Sequence, residues 1–256
     1  MLLAADGIVP DWPAPAGVRA VFTTRVGGVS VAPFESFNLG DHVRDVPLAV
    51  AANRDRLAAF TAPARPVFLR QVHGTRVVRL EPDTPDGTEA DGCVVAGRDV
   101  AATIMVADCL PVLLVHASGT AVAAAHAGWR GLAAGVVQST AQALRETAGD
   151  GEIMAWLGPC IGPQAFEVGA EVCEAFVDAD PDAVAHFWPS EGGRFLADLP
   201  ALARRALRAT GVTDVHGNDG SEAWCTVADA SRFFSHRRDA ARLGSTGRMA
   251  ACIWIA

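Results

Sequence analysis

The chain has 256 residues, half of them hydrophobic, a formal net charge of −8, and 21 basic residues that are all arginine. That length and hydrophobic fraction allow one large core or two small ones. An acidic chain without a basic run excludes general nucleic-acid binding, yet leaves room for a small anion held by a few local arginines.

The opening "MLLAADGIVPDWPAP" has no basic region and meets Asp6 early. It does not read as a secretory signal, so the expected location is cytoplasmic. The longest apolar runs, "VAATIMVA" and "PVLLV", are far short of a membrane span. Six scattered cysteines without a CxxC pair are expected to be free thiols, mostly packed as small hydrophobes.

In chain order, "GVRAVFTTRVGGVS" predicts a strand over Val18 to Thr24 and a Gly-Gly turn. "VPLAVAANRDRLAAF" has the three- and four-residue apolar spacing of a helix. "PVFLRQVHGTRVVRL" reads as two strands broken at His73-Gly74. Four strands follow closely in "DGCVVAG", "VAATIMVA", "PVLLVHA" and "TAVAAAHA". "GLAAGVVQSTAQALRETAG" predicts one helix closed by Gly149, and "EIMAWLGPCIGP" a buried strand entering a Gly/Pro loop. "AEVCEAFVDA" and "DLPALARRALRATGV" predict helices, the second with Pro in its first turn and Gly211 as its stop. "TDVHGN" and "MAACIWIA" are the last two strands. Strands in succession before a helix point to an α+β fold with mixed sheets and helices on the outer faces. The dinucleotide fingerprint, the Walker A pattern and HExxH are absent.

Three donor side chains stand just past apolar strands: His73 after "PVFLRQV", Cys109 after "AATIMVAD", and His126 after "TAVAAA". Neighbouring strand ends can bring such residues to one rim. Two imidazoles and a thiolate are competent zinc ligands, and three protein ligands leave a fourth position open, the catalytic arrangement. Packing or a local hydrogen bond is the commoner explanation of each residue alone, and the wide gaps do not identify a metal site. Arg70 and Arg130 flank two of these positions and suit a phosphate-like anion; a surface ion pair is the alternative for each. Cys160, in "GPCIGP", is a candidate nucleophile or a buried thiol under a rigid loop. Glu167 follows in the same segment. "RFFSHRRDAARLGSTGR" is either a wall of the site or a charged loop pinned by Phe233 and Phe234. His116 is expected to face away from the rim.

Taken together, "FTTRVGGVS", "FNLGDHV", "RQVHG", "ADG", "ADCLPVLL", "AAHAGWRG", "LGPCIG…FEVG" and "FFSHRRD…TGR" occur in the order found in the YfiH-type laccase-domain family, described both as multicopper polyphenol oxidases and as purine nucleoside phosphorylases. The resemblance runs from Thr23 to Arg248. It implies one domain over residues 1–256 with a four-layer α/β/β/α fold, similar to that of the cytotoxic necrotizing factor catalytic domain. It also implies His73, Cys109 and His126 as zinc ligands, with copper as the alternative metal. The implied activity is phosphorolysis of adenosine, inosine, guanosine and methylthioadenosine, with adenosine deamination as a second activity. The expected partners are purine nucleosides and phosphate.

For that chemistry Arg130 and Arg70 are the candidates to hold phosphate or ribose oxygens. Gln71 and Asn38 are candidates for hydroxyl or base contacts. Asp108 and Glu167 are the candidate acid/base carboxylates. Two other readings are a copper polyphenol oxidase and a metal-free cysteine hydrolase using Cys109 or Cys160 with His126 as base.

Overall fold

A computed structural model of the protein describes residues 7–256. The first six residues of the opening stretch, including Asp6, lie outside them. Two mixed sheets stack face to face, with helices on both outer faces. The smaller has the order β1 (Val18–Phe22), β13 (Met249–Ile255), β5 (Val100–Val106), β2 (Arg65–Phe68). The larger has the order β12 (Asp214–Gly217), β8 (Ile153–Leu157), β6 (Leu110–His116), β7 (Val122–Ala127), β4 (Gly92–Val95), β3 (Val77–Arg79). The smaller sheet has one parallel pair, β2 with β5 at an edge, and the larger has two, β12 with β8 and β3 with β4 at its two edges; the other pairs are antiparallel.

Alternation along the strands builds the layers. On β5, Val100, Ala102, Ile104 and Val106 face the other sheet, while Ala101 and Met105 face helix α1 (Pro47–Thr61). On β7, Val122 and Ala124 enter the core between the sheets, and Ala123, Ala125 and Ala127 enter the core beneath the outer helices. Those helices include α3 (Val136–Ala148) and α5 (Leu199–Ala209), which bury Leu144, Leu202 and Leu207. Each fully buried leucine contributes about 1.5–3 kcal/mol relative to exposure. The result is the expected four-layer α/β/β/α arrangement, with β7 buried on both faces because its side chains are small.

Three local expectations differ from the structure. The single helix predicted from Gly131 to Gly149 is two, α2 (Trp129–Ala134) and α3, because Gly135 adopts a left-handed φ of 99° between them. "FFSHRRDAARL" ends in a helix, α6 (His236–Leu243), whose Ser235 side chain accepts from the Arg238 amide as an N-cap. A third sheet of two- and three-residue strands, β10 (Phe187–Pro189), β11 (Phe195–Ala197) and β9 (Glu167–Val168), was not anticipated. The predicted helix "AEVCEAFVDA" forms as α4 (Ala170–Val177). Among the described residues no helix is long and apolar enough to cross a membrane.

Candidate metal centre

Three strand ends deliver the central side chains. His126 is the fifth residue of β7 and shares the inter-sheet side with Val122 and Ala124. Cys109 lies between β5 and β6, directly after Asp108, whose φ is 85°. His73 lies in the loop between β2 and β3 with a φ of 61°. Left-handed backbone at a residue other than glycine is costly and persists only where neighbours hold it.

Asp91 is what holds the His73 turn. Its Oδ1 accepts from the His73 amide at 2.8 Å, and its Oδ2 accepts from the Val72 and Gly74 amides at 3.1 and 2.8 Å. His126 Nδ1 donates to the same Oδ1 at 2.8 Å, which leaves Nε2 for the centre. Asp91 is fully buried, and its main chain accepts from the His126 amide. Burial pushes this carboxyl up, but the His126 hydrogen bond and the turn amides outweigh it and hold it below its ordinary value.

The ligand atoms of His73, Cys109 and His126 all lie within 4.8 Å of one another, and Cys109 Sγ is 3.8 Å from His73 Nε2. In a tetrahedral zinc site such atoms are roughly 3.3–3.6 Å apart. The donor set and its spacing therefore fit a metal ion after small inward shifts. Among the described residues this is the one cluster of its kind. Burial pushes the Cys109 thiol up, yet the charges and hydrogen bonds of His126 and His73 bring it below its ordinary value. Burial pulls His126 down, and the Cys109 and Asp91 charges raise it above its ordinary value. The pair thus favours the thiolate, the form of cysteine that binds metal.

The trio opens into a cavity of about 690 Å³, within the range of small-molecule sites. Phe68, Val72, Met105, Trp129, Ile161 and Phe166 give it apolar walls; Arg54, Arg70, Arg237 and Arg248 give it cations. Gly128 has no Cβ where the centre is tightest: one would sit 2.8 Å from His73 Cδ2 and 3.0 Å from Cys109 Sγ.

The predicted site residues divide by position. Arg70, Gln71 and Asp108 line the cavity with the trio. Arg70 pairs with Glu89. Gln71 exchanges two hydrogen bonds of 2.8 Å with the Met105 main chain, which ties the loop after β2 to β5. Asp108 accepts from Thr226 Oγ1, Ser235 Oγ and the Arg237 amide at 2.6, 3.1 and 2.6 Å, so it anchors the start of α6.

The other four are not among the lining residues. Arg130 is exposed, with its guanidinium 4.3 Å from the Trp129 ring centroid, because the turn into α2 aims Trp129 inward instead. Asn38 is fully buried and spends its amide on Gly40, Asp45 and the Arg248 main chain. Glu167 is bound by Ser190 and Arg194. Cys160 is fully buried, and burial first, then nearby negative charge, pushes its thiol well up. His116 is buried at the far end of β6 from Leu110, bonded to Ser118.

The segment "RFFSHRRDAARLGSTGR" is a cavity wall: His236, Arg237 and Arg248 line it, while Phe233 and Phe234 anchor it in the core. Asp91, Arg248 and Gly128 carry roles that the sequence reading did not assign. Their signal was membership of "ADG", "TGR" and "AAHAGWRG", with nothing in those short strings to say what each residue touches.

Residues 19–256 match the family described as multi-copper polyphenol oxidoreductase laccase. The chain is 53% identical over 249 residues to a protein of Pseudomonas aeruginosa named purine nucleoside phosphorylase, covering 97% of this chain and 98% of that one. It is 47% identical, over the same shares of both chains, to Escherichia coli purine nucleoside phosphorylase YfiH. A Neisseria meningitidis protein of solved structure superposes with a TM-score of 0.89 at 46% identity, covering 98% of this chain and 99% of that one. YlmD of Geobacillus stearothermophilus superposes with a TM-score of 0.87 at 32% identity, covering 95% and 94%. Matched in sequence and in fold over nearly its whole length, the chain belongs to the YfiH family of laccase-like proteins.

Proposed function

We propose that the protein is a metal-dependent purine nucleoside phosphorylase, with zinc on His73, Cys109 and His126. The observation that carries this reading is the placement of that trio in the lining of a cavity that also has aromatic walls and arginines. The names of the relatives from Pseudomonas aeruginosa and Escherichia coli support it. Adenosine, inosine, guanosine and methylthioadenosine are the proposed substrates.

In phosphorolysis a phosphate oxygen bonds to the anomeric carbon as the bond to the purine breaks, and the departing base takes the electron pair and a proton. The transition state resembles an oxocarbenium ion, so the protein contributes position and charge. Trp129 and Phe166 offer flat apolar surfaces to the base. Arg70, at the exposed side of the cavity, is proposed to meet ribose or phosphate oxygens once nucleoside competes with Glu89. Gln71 shapes the floor through its grip on Met105 rather than through a free amide. Arg130 acts through Trp129, on which it stacks. Bound zinc would supply a Lewis acid at the trio.

Adenosine deamination is a second reading, favoured by the position that three protein ligands leave open. It needs a carboxylate free to carry protons. Asp108, the carboxylate beside Cys109, already accepts three hydrogen bonds. Phosphorolysis therefore stands first.

The test is to incubate metal-loaded protein with adenosine, with and without phosphate. Phosphate-dependent adenine and ribose 1-phosphate are the expected products. Phosphate-independent inosine would make the protein a deaminase, and neither product at full metal occupancy would overturn both readings.

A further inference from the structure

Four arginines line the cavity, and three of them are accounted for. Arg54 pairs with Asp41 and Asp86, and Arg70 with Glu89. Arg237 is exposed and donates to the main-chain carbonyls of Ala165 and Glu167. Arg248 is different: it is half-buried, no carboxylate among the described residues lies within ion-pair distance of it, and Cys109 and Asp108 act on it through their charge alone. Its Nη1 donates to the Thr246 and Gly247 carbonyls at 3.0 and 3.2 Å. No hydrogen bond within the described residues occupies Nε or Nη2. A partly desolvated cation with no directly paired counter-charge gains from a ligand that supplies one.

The chain spends several buried groups on placing this side chain. Asn38 Oδ1 accepts from the Arg248 amide at 2.8 Å and from the Gly40 amide at 2.9 Å. Asn38 Nδ2 donates to the Gly40 carbonyl and to Asp45, and Asn53 Nδ2 donates to the Asn38 carbonyl. The Arg248 carbonyl accepts from the Leu39 amide at 3.0 Å. Gly40 leaves space for the arginine stem, since a Cβ there would sit 2.7 Å from Arg248 Cγ.

We propose that Arg248 is the phosphate-holding residue of the cavity, with Asn38 and Gly40 as its positioning residues. The planar guanidinium fork matches two oxygens of a tetrahedral oxyanion, and the dianion supplies a directly bonded counter-charge. The inference rests on the phosphorylase reading for the identity of the anion.

The test is calorimetric titration of inorganic phosphate into the full-length metal-loaded protein, together with initial rates at varied phosphate and varied adenosine. Arg248→Gln is expected to abolish the phosphate binding heat and to raise the phosphate KM roughly tenfold or more, the scale of one lost charge-assisted hydrogen bond. The adenosine KM is expected to stay near the wild-type value. Arg248→Lys should recover part of the loss. Gly40→Ala and Asn38→Ala should move the phosphate KM in the same direction without moving the adenosine KM.

Wild-type phosphate binding in Arg248→Gln, or an equal rise in both KM values, would overturn the proposal while leaving phosphorolysis intact. Phosphate binding that depends on Arg248 in a protein that forms no ribose 1-phosphate would sink the phosphorylase reading and leave the subsite standing. If Arg248→Gln does not fold, Gly40→Ala decides: an unchanged phosphate KM in that variant overturns the proposal.

Discussion

The Asp91 carboxylate joins His126 and the backbone of His73 through a single oxygen, 2.8 Å from each. One buried side chain thereby orients two of the three candidate ligands and stabilises the left-handed turn that carries one of them. Carboxylates that hold a ligating histidine set its tautomer and ring orientation. Asp91→Ala is expected to lower metal affinity about 10–100-fold. Competition with a chromogenic chelator measures this, and an affinity within error of wild type would remove Asp91 from that role.

Gly128 tests the tightness of the centre. Its backbone φ is −64°, which any residue adopts, so space alone decides the outcome of a substitution. The added carbon of Gly128→Ala meets both His73 and Cys109. The variant is expected to fold, as judged by circular dichroism and a cooperative melt, yet to bind less than one metal ion per chain by elemental analysis. Full metal content would show that the His73 loop yields easily.

The two cysteines proposed as alternatives for chemistry should separate cleanly. Cys109→Ser removes the thiolate of the trio and is expected to reduce turnover by roughly a hundredfold or more, at least the scale of losing a supporting carboxylate. Cys160→Ser leaves the trio untouched and is expected to retain metal content and turnover at a modest cost in stability. A Cys160→Ser variant that keeps its metal and its melting temperature but loses turnover would return Cys160 to the candidate nucleophiles.

Asp239 gives the wall of the cavity a pH-dependent anchor. Burial pushes its carboxyl up, but the Arg238 guanidinium, the Ser235 amide and the charge of Arg25 outweigh it and hold it below the ordinary value. A carboxyl whose folded pKa is depressed stabilises the fold at pH values above its unfolded pKa, about 4. That contribution is lost as pH falls through the lower folded pKa. Asp239→Asn should therefore lower the urea midpoint clearly at pH 7, and the difference from wild type should shrink towards pH 3. A difference that is constant with pH would mean that the charge contributes nothing.

The central strands were legible because buried β-structure leaves short apolar runs of small and β-branched residues, as in "VAAAHA" and "ATIMV". The donor atoms at their ends were legible as exceptions to those runs. Together with the ordered motifs they determined the layer architecture, the trio His73, Cys109 and His126, and the family. Helix α6 was not legible: eight residues, half of them charged, carry too little apolar periodicity to announce a helix. The small sheet of β9, β10 and β11 escaped for the same reason, since two or three residues do not make a pattern. Tertiary structure alone assigned the partners of polar groups. Asp91 bonds to His73 and His126, and Asn38 to Arg248, across tens to hundreds of positions, and a hydrogen bond between distant segments leaves no local trace. Among the arginines the sequence favoured Arg130, adjacent to a ligand in the chain. The fold turned it outward and brought Arg248, 122 positions beyond His126, to the cavity instead. Proximity along the chain and proximity in space diverge wherever a turn reverses direction, and only the packed structure decides between them.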